Sequence, residues 1–338
     1  MKALVLAGGL GTRLRPLTYT RPKHLLPIAN RPHVEHVFDL LLRHGVDGVV
    51  LLTSYLAEAF ADAAASAAAR GLDVEVTHEA EPLGTAGALK NAQHLVGDDT
   101  FLAFNGDVLT DVDLSELVAF HRDRGAEATL LLTPVDDPSA YGVVPTGDDG
   151  RVEGFVEKPP RDEATTNLIN AGVYVLEPSV LDRIPAGEVW SAERQLFPEL
   201  VSSGAPLYAR GTHAYWMDIG TPDKYLAANL DALAGRFATD AVASPGPGAV
   251  LAAGSASVDD GARVRWACLG DGVKVGRGAV VERAVLLPGA LVSEGAVVVD
   301  AILGAGAAVA PGAEVRDAAV ADGDTIEDGA QASARKEA

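Results

Sequence analysis

Four cations follow a glycine-rich stretch near the start of the chain. Residues 8–12 read GGLGT, and the cations that come next are Arg13, Arg15, Arg21 and Lys23. Glycine lets backbone amides approach a ligand closely, and arginine and lysine side chains are common partners of phosphate oxygens. The apolar run 3–7 predicts a strand that ends in this turn. The segment therefore predicts a site for an anionic, phosphate-containing ligand.

Two familiar phosphate-binding motifs do not fit these residues. A Walker A loop requires G-x-x-x-x-G-K-[ST], and GGLGTRLRP has no lysine at the required position. A dinucleotide-binding fingerprint requires G-x-G-x-x-G, but GGLGTR lacks the third glycine and no acidic residue follows at the usual distance. The glycines must therefore serve another kind of phosphate chemistry.

The elements around this turn alternate between strand and helix. Strand-like runs at 3–7, 49–52, 74–76 and 101–104 are separated by helical patterns, among them 57–70. Such alternation predicts an α/β fold, with a Rossmann-like, mostly parallel sheet flanked by helices. Ligands of such sheets bind beyond the carboxyl ends of the strands. We therefore expect the turns after Ala7 and Phe104 to lie at the same edge.

The pattern changes after a Pro/Gly-rich stretch, ASPGPGAV, at residues 243–250. Aliphatic residues then recur about every six positions with Gly-Ala turns between them, which predicts a left-handed parallel β-helix; a β-sandwich is the alternative. All eight histidines lie at or before His213, so the tail lacks the histidine base of an acyltransferase and is interpreted as a structural or assembly module. The predicted divisions are a catalytic domain (1–240), a linker (241–248), the β-helix (249–330) and a polar tail (331–338).

Composition excludes several classes of protein. The net charge of −20 argues against a nucleic-acid-binding surface, which requires clustered cations. The single cysteine, Cys268, excludes an internal disulfide and is interpreted as a small buried residue. No apolar stretch has the length of a membrane span, and the N-terminus does not resemble a signal peptide. We expect a cytoplasmic protein with no nucleic-acid or membrane partner.

These motifs together resemble those of the sugar-nucleotide pyrophosphorylases, or sugar-1-phosphate nucleotidylyltransferases. The family signature G-G-x-G-[TS]-R-[LM]-x-P-L-T, followed by P-K-P, matches residues 8–18 and then Pro22 and Lys23. Further blocks follow in family order: EPLGTAGAL (81–89), FNGDVLTDVDL (104–114), YGVV (141–144), FVEKPP (155–160), INAGVYVLEPSVL (169–181), SAERQLFPEL (191–200) and YWMDIGTPDKYL (215–226). The resemblance covers nearly all of residues 1–235.

The resemblance implies a reaction between two anions. A sugar-1-phosphate oxygen attacks the α-phosphorus of a nucleoside triphosphate and pyrophosphate leaves, so charge neutralisation and alignment are the main requirements. The implied catalytic residues are Arg13, Lys23, Asp107 and Asp218, of which the two aspartates would bind Mg²⁺. The implied nucleotide-binding residues are Leu6, Ala7, Gly8, Gly9, Gly11, Thr12, Glu81, Gly84, Thr85 and Gly106. The implied sugar-phosphate-binding residues are Gly142, Glu157, Lys158 and Asn170.

The assignment of the nucleotide base and of the sugar depends on fewer residues. Glu81 stands where thymidylyl members of the family carry glutamine, and an ionised carboxylate accepts hydrogen bonds only, which suits the adjacent donors of guanine. The blocks look most like the long mannose-1-phosphate guanylyltransferases that carry a repeat tail. One departure, His24 where the family has a second proline, is closer to the glucose-1-phosphate thymidylyltransferases. Related cyclitol or deoxysugar phosphates also remain alternatives.

A binding protein without catalytic activity is the rival of another class. Some relatives bind sugar nucleotides and regulate a partner, and the loss of catalytic residues would be their sign. All four implied catalytic residues are present, which favours an enzyme. Because a coil of short repeats cannot cover its own ends, we also expect a homo-oligomer formed through or aided by the β-helix.

Overall fold

The computed structural model describes residues 1–327 and, in backbone only, residues 331–332. The predicted end of the β-helix at residue 330 and most of the predicted polar tail, 331–338, lie outside the described residues. The chain divides into two compact units. Unit 1 contains Met1–Gly9 and Val37–Trp216, and unit 2 contains Leu10–His36 and the chain from Met217 onward. No helix in the described part of the chain is long and apolar enough to cross a membrane.

The strands before residue 219 are β1 (Lys2–Leu6), β2 (Pro27–Ile28), β3 (Arg31–Pro32), β4 (Gly48–Thr53), β5 (Asp73–His78), β6 (Phe101–Asn105), β7 (Val108–Thr110), β8 (Ala128–Pro134), β9 (Gly142–Val143), β10 (Val156–Glu157), β11 (Leu168–Leu176), β12 (Leu207–Gly211) and β13 (Trp216–Asp218). The α-helices are α1 (His33–Arg43), α2 (Ala61–Ala69), α3 (Gly84–Asn91), α4 (Gln93–Val96), α5 (Leu114–Arg124), α6 (Phe197–Ser202) and α7 (Pro222–Ala234). Short 3₁₀ turns include Thr12–Leu14 and Lys23–Leu25, and Ala192–Leu196 is a π-helical turn.

Unit 1 is built on one mixed sheet. Its order is β10-β9-β11-β6-β1-β4-β5, and β8 pairs with both β11 and β12. Strands β6, β1, β4 and β5 are parallel, as are β8 and β12, whereas β11 runs antiparallel to β6 and β8. The predicted α/β class is confirmed, and the antiparallel pairs of β9, β10 and β11 make the sheet mixed.

Two glycine-containing turns meet at one edge of this sheet. β1 and β6 are parallel neighbours, with Leu6 paired to Asn105. The Gly106 N–H donates to the Leu6 carbonyl at 2.9 Å, which extends the pairing one residue beyond β6. The expectation that the turns after β1 and β6 share an edge is therefore confirmed.

Unit 2 contains the predicted β-helix. Its strands are β14 (Val250–Ala252), β15 (Ser257–Val258), β16 (Arg263–Leu269), β17 (Lys274–Val275), β18 (Val280–Leu286), β19 (Leu291–Val292), β20 (Val297–Leu303), β21 (Ala308–Val309), β22 (Glu314–Arg316), β23 (Ala319–Val320), β24 (Thr325–Ile326) and β25 (Gln331–Ala332). They form two parallel ladders, β14-β16-β18-β20-β22-β25 and β15-β17-β19-β21-β24, with β23 joined to β20. The repeat-type β-helix is confirmed.

Each coil of the β-helix takes 17 residues, slightly fewer than three six-residue units. Val281 pairs with Val298, and Val298 with Val315, at this interval. One corner of successive coils consists of a single residue with positive φ, 51° at Arg283 and 50° at Asp300. A one-residue corner is shorter than a Gly-Ala turn, which accounts for the shorter repeat. Equivalent small and aliphatic side chains stack in the interior, where they are fully buried.

Helix α7 belongs to the same unit and contacts β16, β18 and β20. The outward side chains of Cys268, Val285 and Ile302 on these strands are fully buried. Burial raises the pKa of the Cys268 thiol to about 12, so the thiol stays neutral, in agreement with its interpretation as a small buried residue. α7 thus lies over one outer face of the β-helix.

The inward stack gives a direct test of the β-helix. Val298→Ala removes two methyl groups from a fully buried position in the middle of the stack, and we expect it to cost about 1.5–3 kcal/mol of folding free energy. The measurement is denaturant-induced unfolding followed by circular dichroism. Val299→Ala, at the next position in the same strand and only partly buried, is the matched control. Equal destabilisation by both changes would contradict the assigned inward register.

Candidate active site

The cationic segment forms a closed loop within unit 2. Arg13 is exposed in the first 3₁₀ turn. The Thr18 hydroxyl donates to the Gly11 carbonyl at 2.8 Å, and a side chain added at Gly11 would lie 3.2 Å from the Lys23 Cβ. The buried side chains of Leu14 and Leu17 hold the loop on the protein. Arg13 and Lys23 therefore belong to one ordered loop.

Asp218 lies beside Arg13 in the same unit. Its Oδ1 accepts from the Gly220 N–H at 2.8 Å, and its Oδ2 is 3.1 Å from the Lys224 Nζ. A Cβ at Gly220 would lie 2.8 Å from both the Arg13 Nη2 and the Asp218 Oδ1, so glycine is required for this approach. Of the predicted catalytic residues, Arg13 and Asp218 are thus brought together. Sequence reasoning missed Gly220 and Lys224, although TPDK follows directly in the same block.

Asp107 lies just after the end of β6 in unit 1. It is half-buried in the turn between β6 and β7, next to Gly106. Gly8 and Gly9 follow the neighbouring strand β1, and the Ser54 hydroxyl donates to the Gly8 carbonyl at 2.5 Å. Ser54 was not singled out from the sequence. Among the described residues, no group of three or more His, Cys, Asp or Glu side chains could hold a metal ion.

The loop after β5 contains two glutamates in different environments. Glu81, the predicted base-reading residue, is exposed. Glu79 is 7% exposed, and its Oε1 has no hydrogen-bond partner among the described residues. Burial raises the pKa of the Glu79 carboxyl, and a hydrogen bond from the Leu83 backbone and the charge of His78 offset only part of this effect. A buried acceptor without a donor is costly unless a ligand supplies one. Sequence reasoning missed Glu79 because only its burial, which the sequence does not show, distinguishes it from Glu81.

Thr85, at the start of α3, already has its hydroxyl engaged within the protein. It donates to the Glu193 Oε2 and accepts from the Ala192 N–H, both at 2.8 Å. Gly84, at the first position of the same helix, is exposed. Thr85 therefore joins the start of α3 to the 192–193 segment, while Gly84 leaves its backbone accessible.

Gly142 and Glu157 face each other across the β9–β10 pair. A Cβ at Gly142 would lie 2.7 Å from the Phe155 ring and 3.0 Å from the Glu157 Oε2, so only glycine fits. Lys158 has a positive φ of 52° and places its ammonium 3.8 Å from the Glu157 Oε1. Strained backbone of this kind is enriched at ligand sites. These three predicted residues are brought together.

Asn170 builds an irregularity in β11. Its Nδ2 donates to the Tyr174 hydroxyl at 2.8 Å, and its Oδ1 accepts from the Gly172 N–H at 3.1 Å. The register between β11 and β8 shifts between Asn170 and Tyr174. The Asn170 side chain therefore stabilises a β-bulge, a feature that often re-aims side chains next to binding sites.

Two family descriptions cover almost the whole chain. The Nucleotidyl transferase family matches residues 2–235, and the GlmU-like, C-terminal hexapeptide family matches residues 239–329. The chain therefore combines a nucleotidyl transferase domain with a hexapeptide-repeat tail. The chain belongs to the nucleotidyl transferase family, as the signature blocks predicted.

Individual relatives are similar over most of the chain. A mannose-1-phosphate guanylyltransferase of Mycobacterium tuberculosis is 39% identical over 291 residues, which cover 81% of this chain and 80% of that protein. A UTP–glucose-1-phosphate uridylyltransferase of Synechocystis is 40% identical over 68% of this chain and 62% of that protein. The solved structure of HddC from Yersinia pseudotuberculosis, complexed with GMP-PN, matches with a TM-score of 0.59 and 30% identity over 68% of this chain and 97% of that one.

The environment of the Glu157 carboxyl can be tested by measuring the stability of the protein at different pH values. Burial, and then the charge of Glu193, raises the pKa of its carboxyl, so the folded state holds the proton more tightly than the unfolded chain. Stability therefore falls as pH rises from the unfolded to the folded pKa, and the ionised form is penalised at pH 7. Glu157→Gln is expected to raise the melting temperature at pH 7, with a smaller difference at pH 4.

The control for this prediction is Glu153→Gln, which changes an exposed carboxylate four residues earlier, before β10. Thermal melting of both variants is to be measured at the two pH values, together with turnover. We expect Glu157→Gln to lose turnover while it gains stability. A lower melting temperature at pH 7 would show that the carboxylate is stabilising and that its assigned environment is wrong.

Proposed function

We propose that this protein transfers GMP from GTP to a sugar-1-phosphate, with mannose-1-phosphate as the preferred acceptor, and releases pyrophosphate. The observation that carries the proposal is the grouping of Arg13, on the loop that also holds Lys23, with Asp218 at the end of β13 beside Gly220. Two cations on one loop and a carboxylate beside one of them suit the transfer of a nucleotidyl group between phosphates. The named activities of the similar proteins support guanine as the base and mannose as the sugar.

The reaction requires alignment of two anions more than covalent chemistry. The glycine amides of the first loop bind the nucleotide phosphates, Arg13 holds the leaving pyrophosphate with its planar fork of donors, and Lys23 neutralises the reacting phosphates. The sugar-phosphate oxygen then attacks the α-phosphorus in line and the bond to the β,γ-phosphates breaks. We assign Gly142, Glu157, Lys158 and Asn170 to the sugar phosphate. Glu157 accepts from sugar hydroxyls, and Lys158 meets the phosphate.

Asp107 and Asp218 are each assigned as a Mg²⁺ ligand because of the chemistry of their carboxylates. Both are half-buried carboxylates, and Mg²⁺ in nucleotide enzymes is typically bound by one or two carboxylates together with substrate phosphates. When bound, the ion supplies charge neutralisation at the reacting phosphates. The Lys224 Nζ lies 3.1 Å from the Asp218 Oδ2 and balances part of the charge of this carboxylate.

The base is assigned to the loop after β5. Guanine presents two adjacent donors, N1–H and the exocyclic amine, which suit an ionised carboxylate. Glu81 is the carboxylate proposed from the sequence, and the buried, partly unsatisfied Glu79 two residues earlier offers a second candidate in the same loop. Uridylyl transfer is the second candidate function, supported by the similarity to the Synechocystis uridylyltransferase, and thymidylyl transfer to glucose-1-phosphate is the third.

Two further expectations stand as proposals. We propose that the chain forms a homo-oligomer aided by the β-helix, on which Leu291 is 40% exposed on an outer face. We also propose a cytoplasmic location, where nucleoside triphosphates are available.

The metal assignment predicts loss of turnover without loss of fold. Asp107→Asn and Asp218→Asn are each expected to lower kcat by a factor on the order of 10² or more, because each removes a carboxylate ligand of the Mg²⁺ that would balance the phosphates. Pyrophosphate release is measured over a range of Mg²⁺ concentrations. Asp223→Asn, an exposed acid in the first turn of α7, is the matched control. Near-normal turnover of either variant would remove that residue from the metal site.

The base assignment is tested with five triphosphates against several sugar-1-phosphates. The wild type is expected to prefer GTP over UTP and dTTP by at least tens-fold in kcat/KM, because two charge-assisted hydrogen bonds are worth roughly 1.5–3 kcal/mol each. Glu81→Gln and Glu79→Gln are each compared with the wild type. The residue that contacts the base is the one whose substitution lowers the preference for GTP over UTP and dTTP.

Three outcomes would contradict the proposal. A wild-type preference for UTP or dTTP would overturn the guanylyl assignment. An unchanged preference in both variants would place base reading elsewhere. Nucleotide binding without pyrophosphate release for any acceptor would favour a regulatory binding protein.

A further inference from the structure

The segment that carries Lys23 is bonded directly to a late coil of the β-helix within unit 2. The Asp322 Oδ2 accepts from the Thr20 hydroxyl at 2.5 Å and from the Arg21 Nη2 at 2.6 Å. Its Oδ1 accepts from the Ala305 N–H of the preceding coil at 2.7 Å. Asp322 thus uses one oxygen to join its coil to the preceding one and the other to hold residues 20–21, about 300 positions earlier in the sequence.

The Arg21–Asp322 contact is partly protected from solvent. The side chains of Arg21 and Asp322 are 25% and 16% exposed. Burial raises the pKa of the Asp322 carboxyl, but the hydrogen bonds from Thr20 and Ala305 and the charge of Arg21 outweigh it and lower the pKa overall. The carboxylate is therefore charged at neutral pH, and the bonds it accepts are charge-assisted, roughly twice as strong as neutral ones.

The other end of the same segment is held by earlier coils. The Asn30 Nδ2, at the tip of the β2–β3 hairpin, donates to the carbonyls of Leu251 and Leu269 at 3.2 and 2.8 Å. The Ala29 N–H donates to the Asn229 Oδ1 of α7 at 2.9 Å. The coils of Leu269 and Asp322 are three steps of the ladder apart, or about 14 Å. Residues 20–30 therefore lie across several coils and are fixed at both ends.

The route from the Asp322 contact to Lys23 is short and stiff. Pro22 is buried with φ −58°, and it immediately precedes the 3₁₀ turn that begins at Lys23. The Leu25 N–H donates to the Pro22 carbonyl and the Leu26 N–H to the Lys23 carbonyl, at 3.0 and 3.1 Å. A proline followed by a closed turn has little freedom to absorb a displacement. A shift at Arg21 is thus passed on to Lys23.

We propose that Asp322 is a positioning residue for the transfer reaction, and that through Thr20 and Arg21 the β-helix sets the location of Lys23. The β-helix then has a part in catalysis in addition to any part in assembly. The proposal rests on the role that the proposed function gives to Lys23. It assigns Asp322 no contact with substrate.

The chain offers a matched control for this residue. Positions 271, 288, 305 and 322 are equivalent corners of successive coils, since the N–H groups of Gly289, Gly306 and Gly323 each donate to the carbonyl of the matching corner in the coil before. Asp271 is the other aspartate in this set, and its carboxylate accepts from the Ser255 hydroxyl at 2.9 Å. Asp271→Ala therefore removes a corner carboxylate from the β-helix without touching residues 20–21.

The experiment compares Asp322→Ala, Asp322→Asn and Asp271→Ala in the full-length chain. With the best substrate pair of the wild type, both Asp322 variants are expected to lower kcat about tenfold or more with a smaller change in KM, because misplacement of a reacting group acts mainly on the transition state. Asp271→Ala is expected to keep kcat within about twofold. Arg21→Ala/Asp322→Ala is expected to lose no more than Asp322→Ala alone, since both act through one contact.

Order in the segment is read independently of activity by tryptic cleavage after Lys23, which should be faster in both Asp322 variants than in wild type or Asp271→Ala. Asp322→Asn keeps an oxygen for the Ala305 N–H, so it serves if Asp322→Ala fails to fold. Wild-type kcat in both Asp322 variants, an equal loss in Asp271→Ala, or additive losses in the double variant would overturn the proposal. An inactive wild type would contradict the proposed function. An unchanged rate of tryptic cleavage after Lys23 in the Asp322 variants would contradict the positioning role of Asp322.

Discussion

The register of β1 between β4 and β6 is the constraint on which the positions of the glycine-containing loops of unit 1 depend. β1 is apolar and buried because it has parallel neighbours on both sides, and it can end in a glycine turn only where those neighbours also end. The Gly106–Leu6 hydrogen bond places the turn that carries Asp107 next to the turn that carries Gly8. A parallel sheet thus collects, at one edge, loops that are nearly 100 residues apart in sequence.

The charge of the cationic loop is opposite in sign to the net charge of the protein. A chain with a net charge of −20 repels triphosphates at long range, so affinity for such ligands must come from local cations and backbone amides. Arg13 and Lys23 are the cations proposed for this role on one loop, and Asp218 lies beside Arg13 with Lys224 as its second partner. The Asp218 carboxylate offsets part of the positive charge of these side chains.

The two units have different ways of achieving rigidity. Unit 1 relies on a mixed sheet with one bulged strand, where Asn170 and Gly172 bend β11 next to the residues assigned to the sugar phosphate. Unit 2 relies on identical coils that stack alanine and valine, and its outer face is covered by α7 and the β2–β3 hairpin. The cationic loop belongs to the second kind of scaffold. The groups that anchor it, the Leu251 and Leu269 carbonyls and the Asp322 carboxylate, therefore lie on the β-helix.

Local pattern was enough for the fold class and the family of this protein. Alternating apolar runs predicted the α/β sheet, six-residue spacing predicted the β-helix, and ordered motifs from Gly8 to Leu226 identified the nucleotidyl transferase family, because these signals reside in neighbouring residues. Only the tertiary structure distinguished the buried Glu79 from the exposed Glu81, engaged Thr85 with Glu193, and joined Arg21 to Asp322. Burial and contacts between distant residues are properties of packing, and no local pattern of residues encodes them.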